Sequence, residues 1–240
     1  MVTKYFVRVS IFIFMVAVGM MAPAYANNKN TDTAIATADQ TLKANPKDAK
    51  AYYNRGTAYY NEENFDATER DLSMTILLEP KAPDAYFNRG LSLRRQHKID
   101  ESIFDFTQAI KLCQTQGGYY FERGNALIVK NNYADAVKDL TEAIRLSPED
   151  PEGYFLRGLA LMLNGNFEKA LEDSIRALQI DPDYANARRL LAETLIKRET
   201  SPRLPLPTNT YQVTLEHKNI TNIAKDFKKD DHNTLSAAEL

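Results

Sequence analysis

The chain has 240 residues, of which 44% are hydrophobic and 26% are charged, and its formal net charge at pH 7 is −2. This nearly neutral balance lacks the basic excess of a nucleic-acid-binding protein, so we expect no nucleic-acid partner. The only cysteine is Cys113. Because one thiol cannot form an internal disulfide, the fold must be stable without one.

Residues 1–26 differ in composition from the rest of the chain. Two basic residues, Lys4 and Arg8, precede an apolar run from Val9 to Met21, and the sequence Ala-Tyr-Ala follows. This order is typical of a secretory signal peptide. It predicts cleavage after Ala26 and a periplasmic or secreted protein. The alternative is an uncleaved membrane anchor, for which the run is short, because a span needs about 20 apolar residues. We expect membrane contact only if the segment is not removed.

From about residue 49 the chain repeats itself with a period of 34 residues. An Arg-Gly pair recurs at this interval in four copies: Arg55-Gly56, Arg89-Gly90, Arg123-Gly124 and Arg157-Gly158. An aromatic residue stands three positions before each Arg, and an aspartate stands fifteen positions after each Gly. A proline closes three of the copies, and the second copy has Gln114 in its place. Because a fixed period of this length marks a stacked array, the region predicts a repeat fold.

Within each copy the apolar residues are spaced by three and four positions, as in Tyr52, Gly56 and Tyr59. This spacing indicates helices rather than strands. Each copy therefore predicts two antiparallel helices joined by a short polar turn. The order of an aromatic, a Gly, a second aromatic, small residues and a Pro resembles the tetratricopeptide repeat (TPR) family over residues 49–184. The resemblance implies an all-α fold, an α-solenoid of antiparallel helix pairs wound into a right-handed superhelix.

The phase of the repeat divides the chain into units. Full repeats are expected at residues 49–82, 83–116, 117–150 and 151–184. A capping helix is expected on either side, at 27–48 and 185–200, because an array must cover its end faces. With both caps included, we expect ten helices and no sheet. The second repeat lacks its proline, so its last turn should be looser. Residues 201–240 are polar and charged, and we expect a mostly flexible tail.

The recurring Gly and Arg residues are interpreted first as packing residues. Gly inside a helix costs about 1 kcal/mol relative to Ala, so its use predicts that a neighbouring helix comes too close for a side chain. We expect the four repeat glycines to be buried where the two helices of a unit meet. Each repeat Arg is expected to pair with an Asp of its own unit or of a neighbouring unit.

Patterns that carry catalysis or metal binding are not found in the sequence. The histidines, His97, His217 and His232, have no ligand spacing with one another or with Cys113. No phosphate-binding glycine loop and no Ser-His-Asp arrangement occur. The sequence therefore predicts a protein that is not an enzyme and that uses no cofactor and no metal.

The resemblance implies that the first helices of successive units line a concave groove that binds peptides. The position after each repeat tyrosine is aromatic in every unit, which favours an interaction surface, because aromatics and Arg contribute much of the binding energy at interfaces. The predicted partner-binding groove consists of Tyr53, Tyr60, Phe87, Asn88, Leu91, Arg94, Arg95, Phe121, Asn125, Ile128, Phe155, Leu159 and Met162. Arg94 and Arg95 could meet an acidic group, and Asn88 and Asn125 could bond a peptide backbone.

Three interpretations of this stripe stay open. In the first, the protein is an interaction module or scaffold in the cell envelope, and a partner protein or peptide lays an apolar or amphipathic segment into the groove. In the second, the protein associates with itself, as a homodimer or with residues 201–240 filling the groove. In the third, the aromatics pack between adjacent first helices and belong to the core.

Overall fold

A computed structural model describes residues 29–200, so the signal-peptide prediction and the tail prediction lie outside the described residues. This range contains ten α-helices and no strand. The helices are α1 Lys29–Ala44, α2 Ala49–Asn61, α3 Phe65–Leu78, α4 Pro83–Arg95, α5 Ile99–Leu112, α6 Gly117–Val129, α7 Tyr133–Leu146, α8 Pro151–Leu163, α9 Phe167–Ile180 and α10 Ala185–Thr200. None of these ten is both long enough and apolar enough to cross a membrane. The expected all-α fold is confirmed for residues 29–200.

Helices α2 to α9 form four pairs, which we call units 1 to 4. Each unit has a first helix of 13 residues and a second helix of 14 residues. The two helices of a unit pack on each other, and each second helix packs on the first helix of the next unit. Helix α1 packs on α2 at one end, and α10 packs on α9 and α8 at the other. The array is therefore a solenoid of helix pairs with one additional helix at each end.

The turn inside each unit has the same backbone conformation. Its middle residue lies in the left-handed region, with φ of 56° at Glu63, 60° at His97, 61° at Asn131 and 80° at Gly165. Glycine adopts this region without the steric penalty that a side chain brings. Three of the four turns nevertheless use another residue, so the packing of the two helices and not the turn residue alone holds the reversal.

The connections between units share one backbone hydrogen bond, and the connection without proline differs from the others in a second. In each, the first N–H after the second helix donates to a carbonyl four residues earlier, as from Glu79 to Thr75 and from Cys113 to Ala109. In each connection that has a proline, the N–H of the residue before the next helix also donates to the first residue of the turn, and the connection without proline lacks this second bond. The expectation of a looser second turn is confirmed, because one hydrogen bond fewer holds that turn. Cys113 packs there as a small apolar group against the cluster that contains Ile110.

The repeat glycines lie where the two helices of a unit meet, as expected. A Cβ on Gly90 would lie 2.7 Å from Cε1 of Phe106, and a Cβ on Gly124 would lie 2.8 Å from Cγ of Leu140. In unit 4 the corresponding residue on the second helix is Ser174. Leu190 of α10 fills that space instead, 3.1 Å from the Cβ position of Gly158. The C-terminal helix thus replaces a side chain that the last unit lacks.

Each repeat Arg joins three helices. Its Nε and Nη2 donate to the two carboxylate oxygens of the Asp on the second helix of its own unit, at 2.7–2.8 Å. Its Nη1 donates to the preceding second helix, or to α1 in the case of unit 1. The acceptors of Nη1 are Asp39, Ser73, Thr107 and Thr141, in order. The Arg and Asp series are therefore structural links, and the Asp is that of the same unit.

The stack curves toward its first helices. Helix α2 contacts α4, α4 contacts α6, and α6 contacts α8. Within residues 29–200, no two neighbouring second helices are in comparable contact. Because the inner layer of a curved stack is the more closely spaced one, the first helices form the concave face.

Candidate functional site

The predicted groove residues divide into a half-exposed group and a buried group. The half-exposed group lies on α2, α4 and the start of α6 and comprises Tyr53, Tyr60, Phe87, Asn88, Leu91, Arg94 and Phe121. Arg95 is exposed. The buried group comprises Asn125, Ile128, Phe155, Leu159 and Met162. The structure thus brings the N-terminal part of the stripe to the concave surface and covers most of its C-terminal part.

Four members of the buried group, all except Asn125, belong to the largest apolar cluster, at the C-terminal end of the array. Ile128, Phe155, Leu159 and Met162 are 2–6% exposed and pack with residues of α7, α9 and α10. The ring of Tyr184 meets Phe155 edge to face, with the ring centroids 5.6 Å apart. For these four residues the core interpretation describes the structure, and a partner would reach them only if their neighbours moved.

Both candidate arginines already have acidic partners within the chain. Arg95 Nη2 donates to Glu63 Oε1 at 2.8 Å, and the Arg95 guanidinium lies 5.5 Å from the centroid of the Phe65 ring. Arg94 Nη2 lies 3.0 Å from Glu122 Oε2. An acidic ligand would therefore have to compete with Glu63 for Arg95 and with Glu122 for Arg94.

Polar side chains link the first helices at the N-terminal end of the concave face. Asn88 Nδ2 donates to the hydroxyl oxygen of Tyr53 at 2.8 Å, so the side chain of α4 holds a ring of α2 in place. The Tyr119 hydroxyl donates to Asp84 in the same way, from α6 to α4. Burial, aided by the charge of Asp84, raises the pKa of Tyr53, so its phenol stays neutral and can act as a donor.

A group of charged and amide side chains stands in the middle of the concave face. Glu122 lies beside Arg94, and Asn125 follows Glu122 by three residues on α6, which puts both on one side of that helix. Burial raises the pKa of Glu122 above its usual 4.5, and the charge of Arg94 opposes that rise. Burial likewise raises the pKa of Glu152 on α8, with the charges of Asp150 and Glu122 as further causes.

Several atoms of this group lack hydrogen-bond partners although they are buried. They are Nε of Arg94, Oε2 of Glu122 and Oδ1 of Asn125. The contact between Arg94 and Glu122 is thus an attraction between charges without an aligned hydrogen bond. Buried polar groups are usually satisfied, and each exception calls for an explanation. We call Arg94, Glu122, Asn125 and Glu152 the central polar cluster.

Sequence reasoning did not select Glu122, Glu152, Asp84 or Tyr119 as site residues. Glu122 occupies the position of Asn88 in unit 2 and Leu156 in unit 4, and Glu152 occupies the position of Asp84. The available signal was this variation at one repeat position, where an acid replaces an amide or an apolar residue. Within residues 29–200, no group of three or more His, Cys, Asp or Glu side chains could hold a metal ion.

A second concavity lies on the opposite, convex face. It has a volume of about 410 Å³ and is lined by residues of α3, α4 and α5, among them Glu69, Asp100 and Phe104. Phe104 is 60% exposed. Glu69 pairs with Lys98, and Asp100 pairs with Lys130. Because Glu69 and Asp100 each have a lysine partner, these two carboxylates do not share the unsatisfied character of the central polar cluster.

Comparison with known families agrees with the repeat phase. Models described as tetratricopeptide repeat match residues 20–72, 83–115 and 121–185, which together make up more than half of the chain. The chain belongs to the tetratricopeptide repeat family. No curated protein sequence matches this TPR protein.

Several solved structures share the fold of this TPR protein. The crystal structure of YrrB, described as a TPR protein with an unusual peptide-binding site, has a TM-score of 0.63 at 19% identity, over 80% of this chain and 97% of that one. A crystal structure of MamA has a TM-score of 0.62 at 21% identity, over 65% of this chain and 91% of that one. MamA 41-end from Desulfovibrio magneticus RS-1 has a TM-score of 0.61 at 18% identity, over 78% and 97%. At these identities the likeness shows the TPR fold alone.

Proposed function

We propose that this TPR protein is an interaction scaffold of the cell envelope that binds an apolar or amphipathic segment of a partner protein on its concave face. The observation that carries the proposal is the row of half-exposed aromatics Tyr53, Phe87 and Phe121 on three consecutive first helices. Aromatic side chains are the commonest energetic anchors at protein interfaces. An apolar surface on the inner side of a curved array can hold a helix or an extended peptide.

One solved structure with the same fold supports a polypeptide ligand. YrrB has the same fold and is described as having a peptide-binding site. In the present chain, the hydrogen bond between Asn88 and Tyr53 holds two groove side chains in fixed positions before any partner arrives. Side chains that are already ordered lose less conformational freedom on binding, which favours affinity.

The test uses short random peptides displayed for selection on the protein expressed from all 240 codons. Dissociation constants of the selected peptides are then measured for the wild type, Phe87→Ala, Phe121→Ala and the control Phe104→Ala. Phe104 is an exposed aromatic on the second helix α5. Each groove variant should weaken binding by about 30-fold, since an anchor contributes about 2 kcal/mol, while the control leaves affinity unchanged. Circular dichroism establishes that all variants stay helical.

Two results would contradict binding on the concave face. Equal affinity in the wild type and both groove variants would remove the aromatics from the site. A loss confined to Phe104→Ala would move the site to the convex concavity. The molar mass is recorded over a range of concentrations in the same samples, because a dimer that Phe87→Ala abolishes would make a second copy of this chain the groove's occupant.

The envelope location rests on residues 1–26, where a basic start, an apolar run and an Ala-Tyr-Ala sequence follow one another. Expression in a Gram-negative host followed by osmotic shock should release a protein whose mass begins at Asn27. Replacing Ala26 by Asp should leave the longer chain unprocessed and in the membrane fraction. A wild-type protein that keeps residues 1–26 and stays in the cytoplasm would refute this location.

A further inference from the structure

The central polar cluster is not needed for the fold, as the repeats themselves indicate. The position of Glu122 is occupied by Leu156 in unit 4, and the position of Asn125 is occupied by Leu91 and Leu159. Each of these leucines stands at the equivalent position of the first helix in its own unit. Leu156 and Leu159 are each 4% exposed. An apolar residue therefore suits both positions, and the polar residues in unit 3 require a reason other than packing.

The cluster has hydrogen-bond acceptors that nothing in the described residues satisfies. Asn125 is 9% exposed, and its Oδ1 has no partner. Glu122 Oε2 has no partner either, although Arg94 lies 3.0 Å away. Leaving such atoms buried and unpaired destabilises a protein, because they lose their hydrogen bonds to water and gain none in return. A ligand that brings hydrogen-bond donors to this place would remove that penalty.

The local charge favours a donor that is also a cation. The charges of Asp150 and Glu122 act on Glu152, and Arg94 is the one base that shifts the pKa of Glu152 or Glu122. Two groove carboxylates, Glu122 and Glu152, thus share one guanidinium. An additional positive group between α6 and α8 would balance the charge, whereas an additional acid would be repelled.

We propose that the central polar cluster is a recess for a cationic side chain, a lysine or an arginine of the bound segment, whose donors reach Glu122, Asn125 and Glu152. This inference rests on the proposed function and names the chemistry of its partner. The methylene stem of such a side chain can lie along the half-exposed ring of Phe121, which precedes Glu122 on α6. The preferred segment is then amphipathic, with a basic residue flanked by apolar ones.

The test compares three forms of each peptide selected above. In one form its basic residue is kept, in the second that residue is norleucine, which keeps the stem and removes the charge, and in the third it is glutamate. The wild type should lose about tenfold in affinity on the change to norleucine, as expected for a charged hydrogen bond, and more on the change to glutamate. Acetylated peptides separate a side-chain cation from the amine at the peptide's N-terminus.

Variants of the protein assign the effect to the cluster. In Glu122→Gln the preference for lysine over norleucine should be smaller than in the wild type, because only one of the two carboxylates, that of Glu152, remains to favour the charged form. In Asn125→Asp the lysine form should bind more tightly, by roughly fivefold, since the acceptor gains a charge. The control is Glu172→Gln, an exposed glutamate on the second helix α9, and it should retain the full preference for lysine.

The possible outcomes separate this inference from the proposed function. Peptides that need Phe87 and Phe121 but bind equally well with lysine or norleucine would overturn the cation recess and leave groove binding intact. A preference for glutamate, or weaker lysine binding in Asn125→Asp, would overturn it by reversing the sign of the ligand's charge. No selected peptide at all would refute both.

Discussion

Units 3 and 4 have the same framework residues, the repeat Arg, Gly and Asp, and differ in the groove residues of their first helices. In both, the repeat Arg holds the Asp of its own second helix, and a buried Gly lets the two helices meet. Yet where unit 3 has Glu122, unit 4 has Leu156, and where unit 3 has Asn125, unit 4 has Leu159. The framework residues therefore define the fold, and the groove residues vary within it.

This difference has a consequence for interpreting repeat proteins. The unit 4 residues are buried because α10 and Tyr184 close over them. The unit 3 residues face the concave side with their hydrogen bonds incomplete. The same repeat position is thus apolar and buried near a capped end and polar in the middle of the array.

The largest effect should come from removing the shared framework. Asp105→Ala leaves the Arg89 guanidinium, which is 19% exposed, without its carboxylate, and should lower the free energy of unfolding by about 3–5 kcal/mol. Asp71→Ala should cost less, about 1–3 kcal/mol, because Arg55 keeps the carboxylate of Asp39. Urea denaturation measures both. Equal losses would mean that the link to α1 contributes nothing.

The next effect should come from overpacking the helix contact in unit 3. Gly124→Leu should destabilise by about 3 kcal/mol, because the first side-chain carbon alone would lie 2.8 Å from Leu140. Gly118→Ala, nearly two turns earlier on the same helix, is the control, since a Cβ there meets nothing within 4 Å. That change should stabilise by about 0.5–1 kcal/mol. An unchanged melting temperature for Gly124→Leu would contradict the close contact.

A double substitution converts unit 3's groove toward the apolar character of unit 4. Arg94→Ile alone leaves Glu122 as an uncompensated buried acid and should cost about 2 kcal/mol. Arg94→Ile with Glu122→Leu uses the residues that stand at these positions in later units, Ile128 and Leu156. The double variant should be at least as stable as the wild type while losing its preference for lysine peptides. A double variant less stable than both single ones would make the pair structural.

The smallest effect concerns pH. The charged groups that interact with Glu122 are Arg94 on α4 and Glu152 on α8. Because the folded state raises the pKa of Glu122 above 4.5, folding favours the protonated carboxyl. The free energy of unfolding of the wild type should therefore fall, relative to that of Glu122→Gln, as the pH rises from 4.5 to the folded-state pKa. Below pH 4.5 this difference between the two proteins should not change with pH. Affinity for lysine peptides should rise over the same range. Parallel stability curves for the two proteins would contradict the raised pKa.

The sequence predicted the all-α solenoid and its ten helices because the 34-residue period repeats both the helical spacing and the close glycine contacts. It could not decide which Asp each Arg meets, since either choice satisfies the same spacing. It also could not separate exposed from buried groove residues. The burial of Phe155 and Met162 depends on how α10 closes the array, which no local pattern reports. The central polar cluster joins α4, α6 and α8, so it exists only after the units stack.

The Nη1 hydrogen bond of each repeat Arg connects its unit to the preceding helix, and these connections differ along the array. From α1 onward its acceptors change from a carboxylate to hydroxyls, at 2.5, 2.9, 3.1 and 3.3 Å, while the apolar cluster grows toward α10. The N-terminal junction, where Asp39 is half exposed, is open to screening by salt. The C-terminal junction depends on apolar contact, which weakens on cooling. We therefore expect high salt to destabilise the N-terminal end of the array first, and low temperature to destabilise the C-terminal end first.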